Sequence, residues 1–197
     1  EDTFRRAFLG PPTRLEETNP NDPPTLAFDR IELANAEKFD QVAVIIDIGI
    51  AFWNARFRTA TGSRFKAMRY LDFDAIGAGL PPFTGLSEAD IDALCAVSDG
   101  PDGSAKVVAE LGQQFPDSYF GRGGGAVPDA VWHGTATADL MAGLPPGTED
   151  STALFGIEVP MAVLRDADGD NLTTVLTLLV EAALEMTAGL ADKPLVV

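Results

Sequence analysis

The run Gln41-Val42-Ala43-Val44-Ile45-Ile46 constrains the fold more than any other stretch of this chain. Val42 to Ile46 are apolar without alternation and mostly β-branched, as in a parallel strand covered on both faces. Gly49 bounds the run, and Asp47 falls at its carboxyl end. A strand of this kind needs helices above and below it, so the expected class is α/β.

The later elements agree with that class. From His133 the chain runs through small residues and good helix formers to Gly143, which predicts a short helix closed by a left-handed glycine cap. Ile157 to Leu164 reads as a strand with Pro160 near its start or at a bulge. Asp166 to Asn171 reads as a turn. Asn171 or Thr173 can cap a long helix through about Met186, because Val175, Leu178, Leu179, Ala182, Ala183 and Met186 recur at helical spacing. Leu195-Val196-Val197 begins another buried strand. The alternation of strand and helix predicts three layers, with a mostly parallel sheet flanked by helices.

Two other regions read differently. Residues 1–40 carry the breaks Gly10-Pro11-Pro12 and Asn19 to Pro24, which predict an extended N-terminal arm. Residues 54–132 read as a partly helical insertion, with helix starts at Ser87-Glu88-Ala89-Asp90 and at Ser104. Within it, Gly123-Gly124-Gly125 lacks the following Lys-Ser or Lys-Thr of a phosphate loop and reads as a plain loop. Phe52, Trp53 and Phe57, just after Asp47, read as core or cleft wall.

Composition excludes some partners. With 14 Lys+Arg against 30 Asp+Glu, the formal charge of −16 repels nucleic acid and anionic lipid surfaces. No run approaches the roughly 20 apolar residues that a membrane helix needs. The single cysteine, Cys95, has no intrachain disulfide partner and reads as a buried small hydrophobe on a helix. Asp166, Asp168 and Asp170 suggest calcium, but an EF-hand loop has glycine sixth and Gly169 stands fourth from Asp166, so a solvated acidic turn is expected and no metal. The sequence assigns no compartment.

Chemistry in open α/β sheets gathers beyond the carboxyl ends of the strands, where Asp47 and His133 are both expected. A carboxylate bonded to imidazole Nδ1 fixes the tautomer and leaves Nε2 free to take a proton from a nucleophile and return it to a leaving group. That is a general-base pair.

The segments Val42-Ala43-Val44-Ile45-Ile46-Asp47-Ile48-Gly49-Ile50 and His133-Gly134-Thr135, the latter with Ala138, Ala142 and Gly143, resemble the Asp and His motifs of subtilisin-like serine peptidases. Chain order agrees, since that family runs Asp, His, Ser. Pro160 to Leu164 resembles the strand after the His helix, Asp168-Gly169 the turn after it and Asn171 to Met186 the next helix, so the likeness spans about residues 41–197. The resemblance implies peptide-bond hydrolysis with Asp47 and His133 catalytic, no cofactor, and Leu164, Asp168 and Gly169 at the substrate cleft. It departs from the family at Ile48, where Thr or Ser is usual, and at Thr137, where Val is usual. Asp47 and His133 also stand a generous 86 residues apart. No Ser lies in the family's Gly-Thr-Ser setting. The expectation is therefore a catalytic domain incomplete at its C-terminus, with the C-terminal remainder of the same peptidase supplying the nucleophile, as a separate chain or otherwise. The competing expectation is a non-catalytic binding protein on the same scaffold.

Overall fold

In the computed structural model, the described residues are 36–60, 62–72, 83–121, 133–145, 148, 151–159, 169–190 and 192–197, without the side chains of 169–174. Strand β1 (Gln41–Asp47) is the expected one. β2 (Phe65–Leu71) and β3 (Phe83–Ser87) follow, then helices α1 (Glu88–Ser98), α2 (Gly103–Gln114) and α3 (His133–Ala142). β4 (Thr152–Glu158), α4 (Gly169–Met186) and β5 (Leu195–Val196) complete the described strands and α-helices.

The strands form one sheet in the order β3-β2-β4-β1-β5. β1 pairs in parallel with β4 and β5, β2 pairs in parallel with β4, and β3 is antiparallel to β2. Helices cover both faces, which explains the unbroken apolar run of β1. Ala43, Ile45, Met68, Tyr70 and Leu154 pack one way, against Ile91, Val107, Leu111 and Ala138 of α1, α2 and α3. Val42, Val44, Phe155 and Ile157 pack the other way, against Leu179, Ala183 and Met186 of α4. The chain is a three-layer α/β protein with a mostly parallel sheet. Among the described residues, no helix is long and apolar enough to cross a membrane.

Several sequence expectations change in detail. The strand expected at Ile157 to Leu164 occupies Thr152–Glu158, and Pro160 to Leu164 lie outside the described residues. α4 already includes Gly169 to Asn171, which were assigned to a turn. β5 stands last in the sheet order and, among the described residues, pairs with β1 alone, with Val196 47% exposed. Segment 54–132 contributes two strands of the sheet as well as the two expected helices. Ser87 caps α1 in a reciprocal box with Asp90, as its spacing predicted. Ser104 is the second residue of α2, not its cap, and its hydroxyl accepts the Trp53 indole N–H at 3.0 Å. Phe52, Trp53, Phe57 and Cys95 are core residues, and burial pushes the Cys95 thiol up to about 11. The arm through residue 35 and the loop Gly123 to Gly125 lie outside the described residues.

Candidate active site

β1 ends on Asp47, and the chain turns at Gly49, whose φ of 64° is left-handed and suits glycine. The turn aims the Ile48 and Gly49 carbonyls at the first turn of α3. Gly134 N–H donates to Ile48 O at 2.7 Å and Thr135 N–H donates to Gly49 O at 3.2 Å. Two donors that every helix leaves unsatisfied at its start are thereby satisfied by the strand. The Thr135 hydroxyl seals the junction, donating to Gly49 O at 2.9 Å and accepting from Ala51 N–H at 2.7 Å. His133, the first residue of α3, is thus set beside Asp47.

His133 Nδ1 lies 2.6 Å from Asp47 Oδ1 and 2.8 Å from Oδ2. The carboxylate also accepts Ile48 N–H on Oδ1 at 2.7 Å and the Thr137 hydroxyl on Oδ2 at 2.9 Å. Because a carboxylate only accepts, these contacts put the imidazole proton on Nδ1. The Asp47 side chain is 12% exposed and that of His133 74% exposed. The orienting group is held within the protein, and the ring opens outward with no hydrogen-bond partner on Nε2 among the described residues. Both departures from the resembled pattern bear on Asp47: Ile48 offers only its backbone N–H, and Thr137 adds a hydroxyl.

Gly143 follows α3 without a left-handed conformation, contrary to the expected cap. Its N–H continues the helical pattern to Asp139 O at 2.8 Å, and a Cβ there would run into the Asp139 side chain. Asp139 in turn pairs with Arg56.

A neighbouring group escaped the sequence reading. Glu158 ends β4, directly opposite Asp47 on β1 and Tyr70 on β2, so the three side chains share one face of the sheet at its carboxyl edge. Glu158 is 1% exposed. Its Oε1 accepts Tyr119 N–H at 2.6 Å, and the Ile50 N–H also bonds this carboxylate. Among the described residues, Oε2 and the Tyr70 hydroxyl have no hydrogen-bond partner. Burial pushes the Glu158 carboxyl up to about 8, against the two backbone bonds that lower it. Burial, and then Glu158, push the Tyr70 phenol well above its usual value. An acidic residue closing a strand of otherwise apolar and small residues was the available signal.

Glu158 is therefore a neutral acid at pH 7, which has a consequence for stability. Below about 4.5 both states hold the proton; between 4.5 and about 8 only the folded state does. The folded state then binds more protons, so stability falls as pH rises through that window, by up to about 1.4 kcal/mol per pH unit. Glu158→Gln should remove this loss. Urea unfolding midpoints at about pH 5 and about pH 8 should show the variant gaining on the parent as pH rises, and a constant difference would refute the neutral acid.

The other expected site residues are Leu164, Asp168 and Gly169. Leu164 and Asp168 lie outside the described residues, as does Asp166, and Gly169 opens α4. Among the described residues no cluster of His, Cys, Asp and Glu could hold a metal ion. The six serines all have other places. Ser87 caps α1, Ser98 bonds Cys95 O, Ser104 bonds Trp53, Ser118 accepts Gly121 N–H and buried Ser63 accepts Phe65 N–H. Ser151 precedes Thr152, which pairs with Gln41 at the far end of β1. That puts it roughly 20 Å of strand away from Asp47.

No family model matches the chain, and no curated protein matches it. Among solved structures, it is similar to the CspB protease of Clostridium perfringens at 15% identity and a TM-score of 0.44. The match covers 80% of this chain and 28% of that one, so the chain spans under a third of the protein it matches.

Proposed function

We propose that this chain supplies the acid–base half of a subtilisin-type serine peptidase site. The observation that carries the reading is His133 Nδ1 held 2.6 Å from the half-buried Asp47 carboxylate while the rest of the ring faces outward. In the proposed reaction Nε2 takes the proton of a serine hydroxyl as that oxygen attacks a peptide carbonyl. The imidazolium, stabilised by Asp47, then gives the proton to the leaving amine, and water repeats the cycle on the acyl-enzyme. Each proton transfer passes through His133 Nε2, and no cofactor takes part.

The serine must come from elsewhere, because the six in this chain are occupied or distant. Its source is the C-terminal remainder of the same peptidase, in one polypeptide or as a second chain. Peptide or protein is the substrate, and Leu164, Asp168 and Gly169 are assigned to the rim of its cleft. The same occupied serines favour one other reading, a peptide-binding protein that keeps the Asp47–His133 pair and cleaves nothing.

A fluorophosphonate, which reacts covalently with an activated serine, separates the two. The complete protein should be labelled, and His133→Ala should abolish the labelling. Labelling that survives the substitution, or none in the parent, would discard the peptidase reading.

A further inference from the structure

The terminal torsion of an aspartate is broad, so the Asp47 carboxylate has little preference of its own for the plane that faces His133. The donors gripping its oxygens must set that plane. Oδ1 is held by Ile48 N–H, a backbone grip that most residues at that position could provide. Oδ2 is held by the hydroxyl of Thr137, and that grip depends on one side chain.

Thr137 reaches Asp47 because it stands four residues after His133, one turn along the same face of α3. Its Oγ1 also lies 3.1 Å from the His133 carbonyl, the contact that selects threonine rotamers in helices. A hydroxyl has one proton for these two acceptors. It is drawn to Asp47 while the carboxylate charge faces a neutral ring, and can relax to the carbonyl once the ring is protonated.

We propose that Thr137 is a positioning residue for His133: by holding Oδ2 it keeps the Asp47 carboxylate facing Nδ1, so that the proton stays on Nδ1 and the lone pair on Nε2. Its use in catalysis rests on the reading of His133 as a general base; its effect on the ring does not. Valine has nearly the shape of threonine and lacks the donor, which makes Thr137→Val the informative change.

His133 is the only histidine, so its ring ¹⁵N resonances, read in the full 197-residue chain, report the tautomer without ambiguity. Thr137→Val should lower the ratio of Nδ1–H to Nε2–H tautomer by about 5-fold, the scale of one hydrogen bond to a partly exposed carboxylate. Thr137→Ser, which returns the hydroxyl, should restore the ratio. Thr137→Ala serves as a second deletion should the valine disturb the amide spectrum. An unchanged ratio in a folded deletion variant overturns the proposal, and so does a loss that serine fails to restore. Fluorophosphonate labelling of the complete protein is scored separately. A tautomer shift in a protein that never labels sustains the positioning role and removes the peptidase reading, and labelling with an unmoved tautomer does the reverse.

Discussion

Asp47→Asn is expected to move the His133 ring proton from Nδ1 to Nε2 and to slow acylation by the complete peptidase by roughly 10⁴-fold. The cause lies in the donors around the carboxylate. Ile48 N–H on Oδ1 is backbone and cannot turn, so the asparagine must keep its carbonyl oxygen there. Its amide nitrogen then replaces Oδ2, facing Thr137 and lying within reach of Nδ1. Thr137 can adapt by giving its proton to the His133 carbonyl and accepting from the amide. The amide N–H now faces Nδ1 from the place of Oδ2, so Nδ1 is drawn to accept from it against the retained oxygen 2.6 Å away, and the proton then sits on Nε2, where the base must have a lone pair. Fold should survive, at a cost of about 1 to 3 kcal/mol for the strained network. Ring ¹⁵N resonances and fluorophosphonate labelling rates check the two halves; a ring still protonated on Nδ1 would refute the shift and show that the oxygen held by Ile48 N–H keeps the imidazole proton in place.

Gly134→Ala should disable the site by a different route. A Cβ at Gly134 would stand 2.6 Å from Ile48 O, 2.7 Å from Ile50 Cγ1 and 3.0 Å from Asp47 Cβ. None of these is the free end of a flexible side chain, since the first is backbone already bonded to Gly134 N–H and the third is fixed by β1. Helix and strand must part. Overpacking of this kind costs about 1 to 3 kcal/mol, and a displacement near 1 Å at the reacting groups can cost about 100-fold in rate. Thermal unfolding should fall, and labelling should drop further than stability alone explains. A variant with native melting and native labelling would show that the junction has slack.

Asp47 and His133 could be read from the sequence because each sits where a local pattern changes: Asp47 ends an unbroken β-branched run, and His133 begins a run of small helix formers. Gly134 and Thr135 were read as part of a motif, but their work is a contact between segments 86 residues apart. Thr137 was legible only as a departure, since nothing local says whether a helical hydroxyl will meet a carboxylate. Its value comes from the helix packing one turn across the end of β1.

β2 shows why other parts could not be read. Phe65-Lys66-Ala67-Met68-Arg69-Tyr70-Leu71 is interrupted by two charged residues, yet it lies inside the sheet between β3 and β4. Lys66 and Arg69 are only partly buried, and long side chains of this type cover apolar surface with their stems while their charges reach polar partners. Lys66 finds Ser63 O at 3.0 Å and Glu88 at 2.5 Å. β4 hid for a related reason: Gly156 weakens the strand pattern, but its missing side chain is where the Met68 sulfur packs.

By itself, the sequence determined a buried parallel strand ending in Asp47 and a helix opening at His133, because propensity and periodicity are local and survive without the fold. Tertiary structure alone decided the alignment of Asp47, Glu158 and Tyr70 across three strands, the neutral Glu158 and the Thr137 hydroxyl on Asp47. Those depend on register and burial, which arise only when distant segments pack and water is excluded between them.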